Sequence, residues 1–368
     1  MKKCVLCLCA LLSALSLAAL QCGEKAAELP VLKYLNGTRF SVAAPWAADQ
    51  LRIVTFVHTY ARGAQSTVNM LKALSRLHGN KIRQIVITPD PESDALALSK
   101  AFQQSGIAFA VDSGRRITMQ YMAGSLLYPK SFVIDRKGTV IWCDETVDLG
   151  EMIQSYLAGR FDAAAAEKIS PMLDELQTLL RESSERKMKQ LTDKIFAIFP
   201  AHPGALRMRL FALENSNRIP QAWSFLQERI KAAPAVARLY FTTVDFMERY
   251  TYFKRFLPRV LADFERQVKE TDSRCMMAWE LLKRFQYDLQ ALEYAHILLG
   301  KTAPASGEIR KVWFAARAQL AYLTGDVPKA IHYQQQCLPG NSAADPRLRF
   351  FKGVEELRNA SENFTVKL

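Results

Sequence analysis

The stretch Leu51-Arg52-Ile53-Val54-Thr55-Phe56-Val57-His58-Thr59-Tyr60-Ala61-Arg62-Gly63-Ala64 decides how the first part of this chain is read. Ile53 to Val57 form a short apolar run of the kind a buried strand requires. A polar turn follows, and Val68, Met70, Leu71 and Leu74 then recur at helical spacing. Working outward, Lys81 to Thr88 is a second buried-type strand carrying Ile82, Ile85, Val86 and Ile87. Pro89-Asp90-Pro91-Glu92-Ser93 opens a helix expected to reach Gln104, and further helices are expected around Ile117, Tyr121 and Met122 and from Leu149 to Leu157. Strands alternating with helices predict a three-layer α/β unit.

The opening stretch resembles the active-site segment of membrane-tethered bacterial thiol reductases of the thioredoxin superfamily, which reads strand, Trp-Cys-x-x-Cys, helix. Tyr60 takes the place of the Trp, and Ala61-Arg62-Gly63-Ala64 the place of Cys-x-x-Cys. A methyl group forms neither a thiolate nor a mixed disulfide, so the exchange chemistry of that family has no nucleophile at these positions. Gly106-Ile107-Ala108-Phe109 and the run from Tyr128 through Pro129, Asp135 and Gly138 to Trp142 match later motifs of the same family in order and spacing. The resemblance covers about residues 30 to 158. It implies an α/β thioredoxin-like fold, an opening hairpin around Asn36-Gly37, and a cis peptide at Pro129 beside the degenerate loop. Peroxiredoxins share this core but need a peroxidatic Cys in the same loop. The nearest following Cys is Cys143. With Asp144 and Glu145 next to it in sequence, Cys143 is expected to be an unreactive thiol.

Beyond Ala163 the strand pattern ceases. Helical runs alternate with short breaks up to Leu338, and a spacing of about 34 residues passes through Ala222, Phe256 and Ala291, with a longer step to Ala330. The clearest unit, Trp313 to Tyr333, resembles a tetratricopeptide helix pair, with Ala318 and Ala330 where helices approach closely and Gly325-Asp326 at the turn. The expected organisation is a signal peptide over 1–21, a thioredoxin-like domain over 22–158, an all-α tetratricopeptide-like helical repeat domain over 163–340, and a C-terminal helix or tail over 341–368.

Composition and cysteine usage narrow the function. With 49% hydrophobic and 23% charged residues the chain is not a disordered one. Its formal charge of +13 favours acidic partners, but Lys and Arg are interleaved with Glu and Asp and no nucleic-acid motif occurs, so no nucleic-acid partner is expected. Lys2 and Lys3 precede an apolar run from Val5 to Leu20 that is too short for the ~20 residues of a bilayer span, and this pattern predicts a cleaved export signal. Leu17-Ala18-Ala19-Leu20-Gln21-Cys22 resembles a bacterial lipobox, although Gln21 departs from the usual small residue. Two fates are therefore open, lipidation of Cys22 or cleavage nearby without an anchor. A membrane contact is expected only through such an anchor, with the protein periplasmic or held in the cell envelope.

Cys275 and Cys337 read as buried helical thiols. The five histidines show no metal-ligand spacing, so neither metal nor cofactor is expected. His58 and Tyr60 flank the degenerate loop, and Arg62 with Gly63 could make the helix end receptive to an anion. Together these features predict a redox-inactive exported protein that binds a protein or peptide, with Arg310 and Arg317 as candidate contacts for an acidic segment. The alternative reading is a thiol-disulfide or peroxide oxidoreductase using Cys143 or a partner's cysteine.

Overall fold

The computed structural model describes residues 19–29, 32–42, 50–61, 63–123, 128–301, 303–304, 307–337 and 345–365. The expected signal segment up to residue 18, and Arg62, lie outside them. The chain forms two compact units, Met1–Asn217 and Arg218–Leu368. The first includes helices beyond residue 158.

Six strands build the first unit: β1 (Lys33–Tyr34), β2 (Leu51–Phe56), β3 (Ile82–Thr88), β4 (Ala108–Val111), β5 (Lys130–Ile134) and β6 (Val140–Glu145). They lie side by side in the order β1-β4-β3-β2-β5-β6. The central strands β2, β3 and β4 are parallel, and β5, β6 and β1 run antiparallel to their neighbours. Helices α1 (Ala64–His78), α2 (Glu92–Lys100), α3 (Arg116–Met122) and α4 (Leu149–Leu157) complete a thioredoxin-like α/β layout.

The alternation along β2 explains why both faces of the sheet are covered. Leu51, Ile53 and Val57 face a core shared with Val68, Leu71 and Leu74 of α1 and Leu149, Met152 and Ile153 of α4. Val54 and Phe56 face the opposite core with Ile117, Tyr121 and Phe132. There the rings of Phe56, Tyr121 and Phe132 meet pairwise at 5.1 to 5.9 Å. Each fully buried ring of this kind contributes about 2–3 kcal/mol of apolar burial.

Two local expectations differ from the structure. The Asn36-Gly37 turn forms, with Gly37 at φ 74°, but no second strand follows it among the described residues. Instead β1 pairs with Ala110 and Val111 of β4, and the Asn36 amide satisfies the entry to that strand. Its Nδ2 donates to the Ile107 carbonyl at 2.7 Å and its Oδ1 accepts from the Phe109 N–H at 3.0 Å. The side chain thus ties the turn to the start of β4. The second difference is that α2 ends at Lys100, before Gln104, whose left-handed φ of 59° is incompatible with a continuing helix.

Three more helices belong to this unit, α5 (Ala163–Arg181), α6 (Glu185–Ile198) and α7 (Pro203–Asn215). Asp162 caps α5 by accepting from the Ala165 N–H at 2.9 Å, and α5 packs on β6. The segment before β1 also joins the sheet. Gly23 N–H donates to Val140 at 2.8 Å, Val140 N–H to Glu24 at 2.9 Å, and Ala26 N–H to Gly138 at 2.9 Å.

The second unit is all helical among the described residues: α8 (Ile219–Ala232), α9 (Ala237–Arg249), α10 (Leu257–Gln267), α11 (Thr271–Arg284), α12 (Leu289–Leu299), α13 (Glu308–Leu323), α14 (Val327–Cys337) and α15 (Pro346–Thr365). Helix α8 packs on α9, α9 on α10, α11 on α12, α13 on α14 and α14 on α15, and α11 also packs on α13. Between α13 and α14 the chain turns at Gly325 (φ 84°), and Ala318, Ala321 and Ala330 are buried together with Phe351. Their single methyl groups allow the close helix approach expected of them. Trp223 stacks on Phe253 and Phe256 at 5.0 and 5.3 Å, an aromatic layer near the start of the unit.

Candidate functional site

The degenerate loop lies at the C-terminal end of β2, between that strand and the first turn of α1. It is closed by backbone bonds from Ala61 N–H to His58 at 3.1 Å and from Ala64 N–H to Ala61 at 2.9 Å. Gly63 precedes α1 with an ordinary φ of −102°, and a β-carbon there would meet nothing closer than Ser66 Oγ at 3.8 Å. Glycine is therefore not required at this position. Pro129 stands at the start of β5, and its bond to Tyr128 is cis.

The side chains over this loop form a defined cluster. His58 Nδ1 is 2.7 Å from Asp90 Oδ1, and the carboxylate, which only accepts, fixes that nitrogen as the donor. Asp90 Oδ2 accepts from the Thr59 N–H at 2.6 Å and from the Thr59 hydroxyl at 2.9 Å. Burial pushes the Asp90 carboxyl upward, but these donors outweigh it and hold the group below the usual carboxylate range. The His58 ring lies between two tyrosines, stacked with Tyr60 at 5.1 Å and tilted against Tyr128 at 4.1 Å. Tyr60 is 77% exposed. Tyr128 is half-buried, which raises its phenol, while the charge of Arg115 acts in the opposite direction. The result is an aromatic platform anchored by a buried carboxylate, with methyl groups at positions 61 and 64.

His58 and Tyr60 meet over this loop, and His58 also meets Tyr128, the residue before cis Pro129. Asp90, Thr59 and Tyr128 were missed as site residues. Asp90 reaches the site through strand pairing: Phe56 pairs with Ile87 in parallel register, so His58 and Asp90 both stand just beyond the ends of adjacent strands.

A second cluster corrects the reading of Cys143. Sequence distance hid its neighbours, because Cys22 Sγ lies 3.6 Å from Cys143 Sγ, and Ser170 Oγ of α5 lies 3.1 Å from the same sulfur. The S–H of Cys22 and the charge of the buried Lys130 hold Cys143 below the usual thiol range in spite of burial. The same contact and burial push Cys22 strongly upward. Asp144 does oppose the shift in Cys143, as expected from the sequence, but the nearby cation that the sequence appeared to lack is supplied across the sheet by Lys130. Cys275 and Cys337 are buried thiols in no disulfide, and burial raises Cys275 to about 11.

In the second unit Arg310 is exposed, with its guanidinium 5.6 Å from the Phe314 ring centre. Arg317 is half-buried over Trp313 at 5.1 Å, and its NH1 approaches His296 Nδ1 at 3.5 Å. Both stand on α13. No group of three His, Cys, Asp or Glu side chains able to hold a metal occurs among the described residues.

No protein-family model and no curated protein matches this sequence. Solved structures similar to it include the thioredoxin domain of a thiol-disulfide oxidoreductase from Bacteroides vulgatus, at 16% identity and TM-score 0.30, over 38% of this chain and 99% of that one. A thioredoxin-like protein from Porphyromonas gingivalis is 14% identical with TM-score 0.28, over 41% and 95%. A peroxiredoxin-like protein from Aquifex aeolicus is 18% identical with TM-score 0.28, over 35% and 77%.

Proposed function

We propose that this chain is a thioredoxin-like protein, redox-inactive at the loop that carries Ala61 and Ala64, that binds protein or peptide segments without covalent chemistry, in the cell envelope to which its first twenty-one residues would export it. The observation that carries the reading is the His58–Tyr60–Tyr128 platform locked by Asp90 beside cis Pro129, with Ala61 and Ala64 where a thiol pair would stand. An exposed tyrosine on a rigid support offers a large contact area with little side-chain freedom to lose.

The second unit is proposed to be tetratricopeptide-like and to supply a further, cation-bearing face on α13 through Arg310 and Arg317. The packing of α11 on α12 and of α13 on α14, the buried Ala318 and Ala330, and the Gly325 turn support this. An acidic segment would be its complement, through contacts that weaken with salt.

The test is selection of peptides from a displayed random library on the full chain, followed by binding of the selected peptides to variants. Tyr60→Ala is expected to weaken binding at least tenfold if the platform is the site. Binding lost only in Arg310→Glu with Arg317→Glu would move the function to the helical unit. Insulin reduction by the wild-type chain that disappears in Cys143→Ser would overturn the non-enzymatic reading in favour of an oxidoreductase.

A further inference from the structure

Cys22 and Cys143 are 121 residues apart in sequence, yet their sulfurs lie 3.6 Å apart in a buried site walled by Ser170. A disulfide needs about 2.05 Å between sulfurs, so the gap to close is about 1.6 Å, within reach of side-chain rotation and small backbone shifts. The surroundings order both groups. Gln21 Nε2 donates to Asp174, which fixes the amide so that its Oε1 accepts from the Ser170 hydroxyl at 2.6 Å. With its one proton committed there, the Ser170 oxygen can only accept, from the Cys143 S–H at 3.1 Å and from the Cys22 backbone N–H at 3.4 Å. The S–H of Cys22 is left to donate to Cys143 Sγ, and Lys130 places a positive charge near that sulfur.

We propose that Cys22 and Cys143 are an oxidisable pair that closes into an intramolecular disulfide, stapling the N-terminal segment to β6 and taking the thiol that acylation of Cys22 would use. The segment is held as a closing element should be. Leu20 N–H donates to the Tyr121 carbonyl at 3.2 Å, the Tyr121 hydroxyl donates to Ala27 at 2.6 Å, and Leu20 and Cys22 are buried in the sheet's core. A lipid-bearing Cys22 could not occupy this place, because the sulfur has Cys143 and Ser170 against it where the lipid stem would have to pass.

The oxidant is a low-molecular-weight disulfide such as oxidised glutathione. When the segment lifts, the Cys143 thiolate attacks one sulfur of that disulfide, forming a mixed disulfide and releasing one small thiolate, which takes up a proton. Cys22, giving up its own proton, then attacks Cys143 Sγ and expels the second small thiol. Two protein thiols and one small disulfide become one protein disulfide and two small thiols, with two electrons passing to the oxidant.

The experiment equilibrates the full chain, purified in reductant, with oxidised and reduced glutathione mixtures, then denatures it, alkylates free thiols and maps the peptides. A peptide linking Cys22 to Cys143 is expected, with Cys275 and Cys337 alkylated, and reductant should lower the midpoint of thermal unfolding of the oxidised chain. Cys22 and Cys143 both alkylated at the most oxidising mixture, glutathione retained on either of them, or a bond from either to another cysteine of this chain or of a second chain would each overturn the proposal. So would a diacylglyceryl group on Cys22 in the chain isolated from its native envelope. Because the wild-type chain carries the readout, misfolding of Cys22→Ser or Cys143→Ser does not blunt the test.

Discussion

A β-carbon added at Gly204 would lie 2.9 Å from Oδ2 of the buried Asp144, so the first turn of α7 accommodates this carboxylate only because residue 204 has no side chain. Asp144 is short and enclosed and has no flexible end to swing away. Gly204→Ala is therefore expected to destabilise the first unit, although alanine improves an exposed helix by about 1 kcal/mol over glycine. Urea unfolding of the two proteins decides it, and a variant at least as stable as wild type would show that Asp144 yields more easily than its burial indicates.

The same carboxylate sets a pH dependence. Burial, with Asp148 beside it, raises Asp144 to about 6, against the opposing charge of Arg207. The unfolded chain releases this proton near the ordinary value of about 3.9. Between these values the unfolded state is the more ionised one, so stability falls as pH rises through that window and stays lowered above it. Asp144→Asn removes the cost. Its advantage should be absent near pH 4 and grow to about 3 kcal/mol at pH 7. A difference between the two proteins that does not change with pH would rule this out.

Asp90 behaves in the opposite sense. Its carboxyl is depressed by the Thr59 and His58 donors, so the stability it contributes is present above the unfolded value near 3.9 and is lost as pH falls through the lower folded value. Asp90→Asn cannot accept from all three donors. The variant is expected to lose about 1–3 kcal/mol at pH 7 and to show a flatter acid limb than wild type. Parallel acid limbs in denaturant titrations would mean that Asp90 is not the group responsible.

In the second unit, the indole N–H of the buried Trp313 donates to the Leu299 carbonyl at 2.7 Å, joining α13 to the end of α12. Trp313→Phe leaves that carbonyl without its indole donor and is expected to cost about 1–3 kcal/mol. Near-UV circular dichroism during unfolding reads this unit's aromatic layers, and an unchanged midpoint would show that water replaces the bond.

What could be read from the sequence was local. Apolar runs located β2 and β3, and helical spacing placed α1 and α4 at their observed positions, because strand and helix patterns recur within a few residues. The resemblance supplied the strand after Pro129 and the cis bond before it. Relations made by the tertiary fold were not legible. Asn36 turns the chain as its residue type suggests, but its amide ties the turn to the start of β4. Asp90 reads as part of a helix start, and only the parallel pairing of β2 with β3 carries it to His58. The charge beside Cys143 comes from Lys130 on the neighbouring strand, so its immediate sequence neighbours Asp144 and Glu145 suggested the wrong balance.

The loop can be tested for the geometry a thiol pair needs. Ala64 is the first residue of α1 and is buried, whereas Ala61 is partly exposed in the preceding turn, and the two are joined by the Ala64 N–H to Ala61 carbonyl bond at 2.9 Å. A thiol placed at either position would sit beside the N-terminus of a 15-residue helix, whose partial positive charge favours the thiolate. Ala61→Cys with Ala64→Cys is therefore expected to create a redox pair that turns over insulin with dithiothreitol as reductant, while the wild-type chain stays at the buffer rate. Carrying Cys143→Ser in both proteins removes any contribution from the Cys22 pair. If the double cysteine variant forms no disulfide, the backbone from His58 to Ala64 no longer holds the two positions within bonding distance. The loop would then be a binding surface in shape as well as in chemistry.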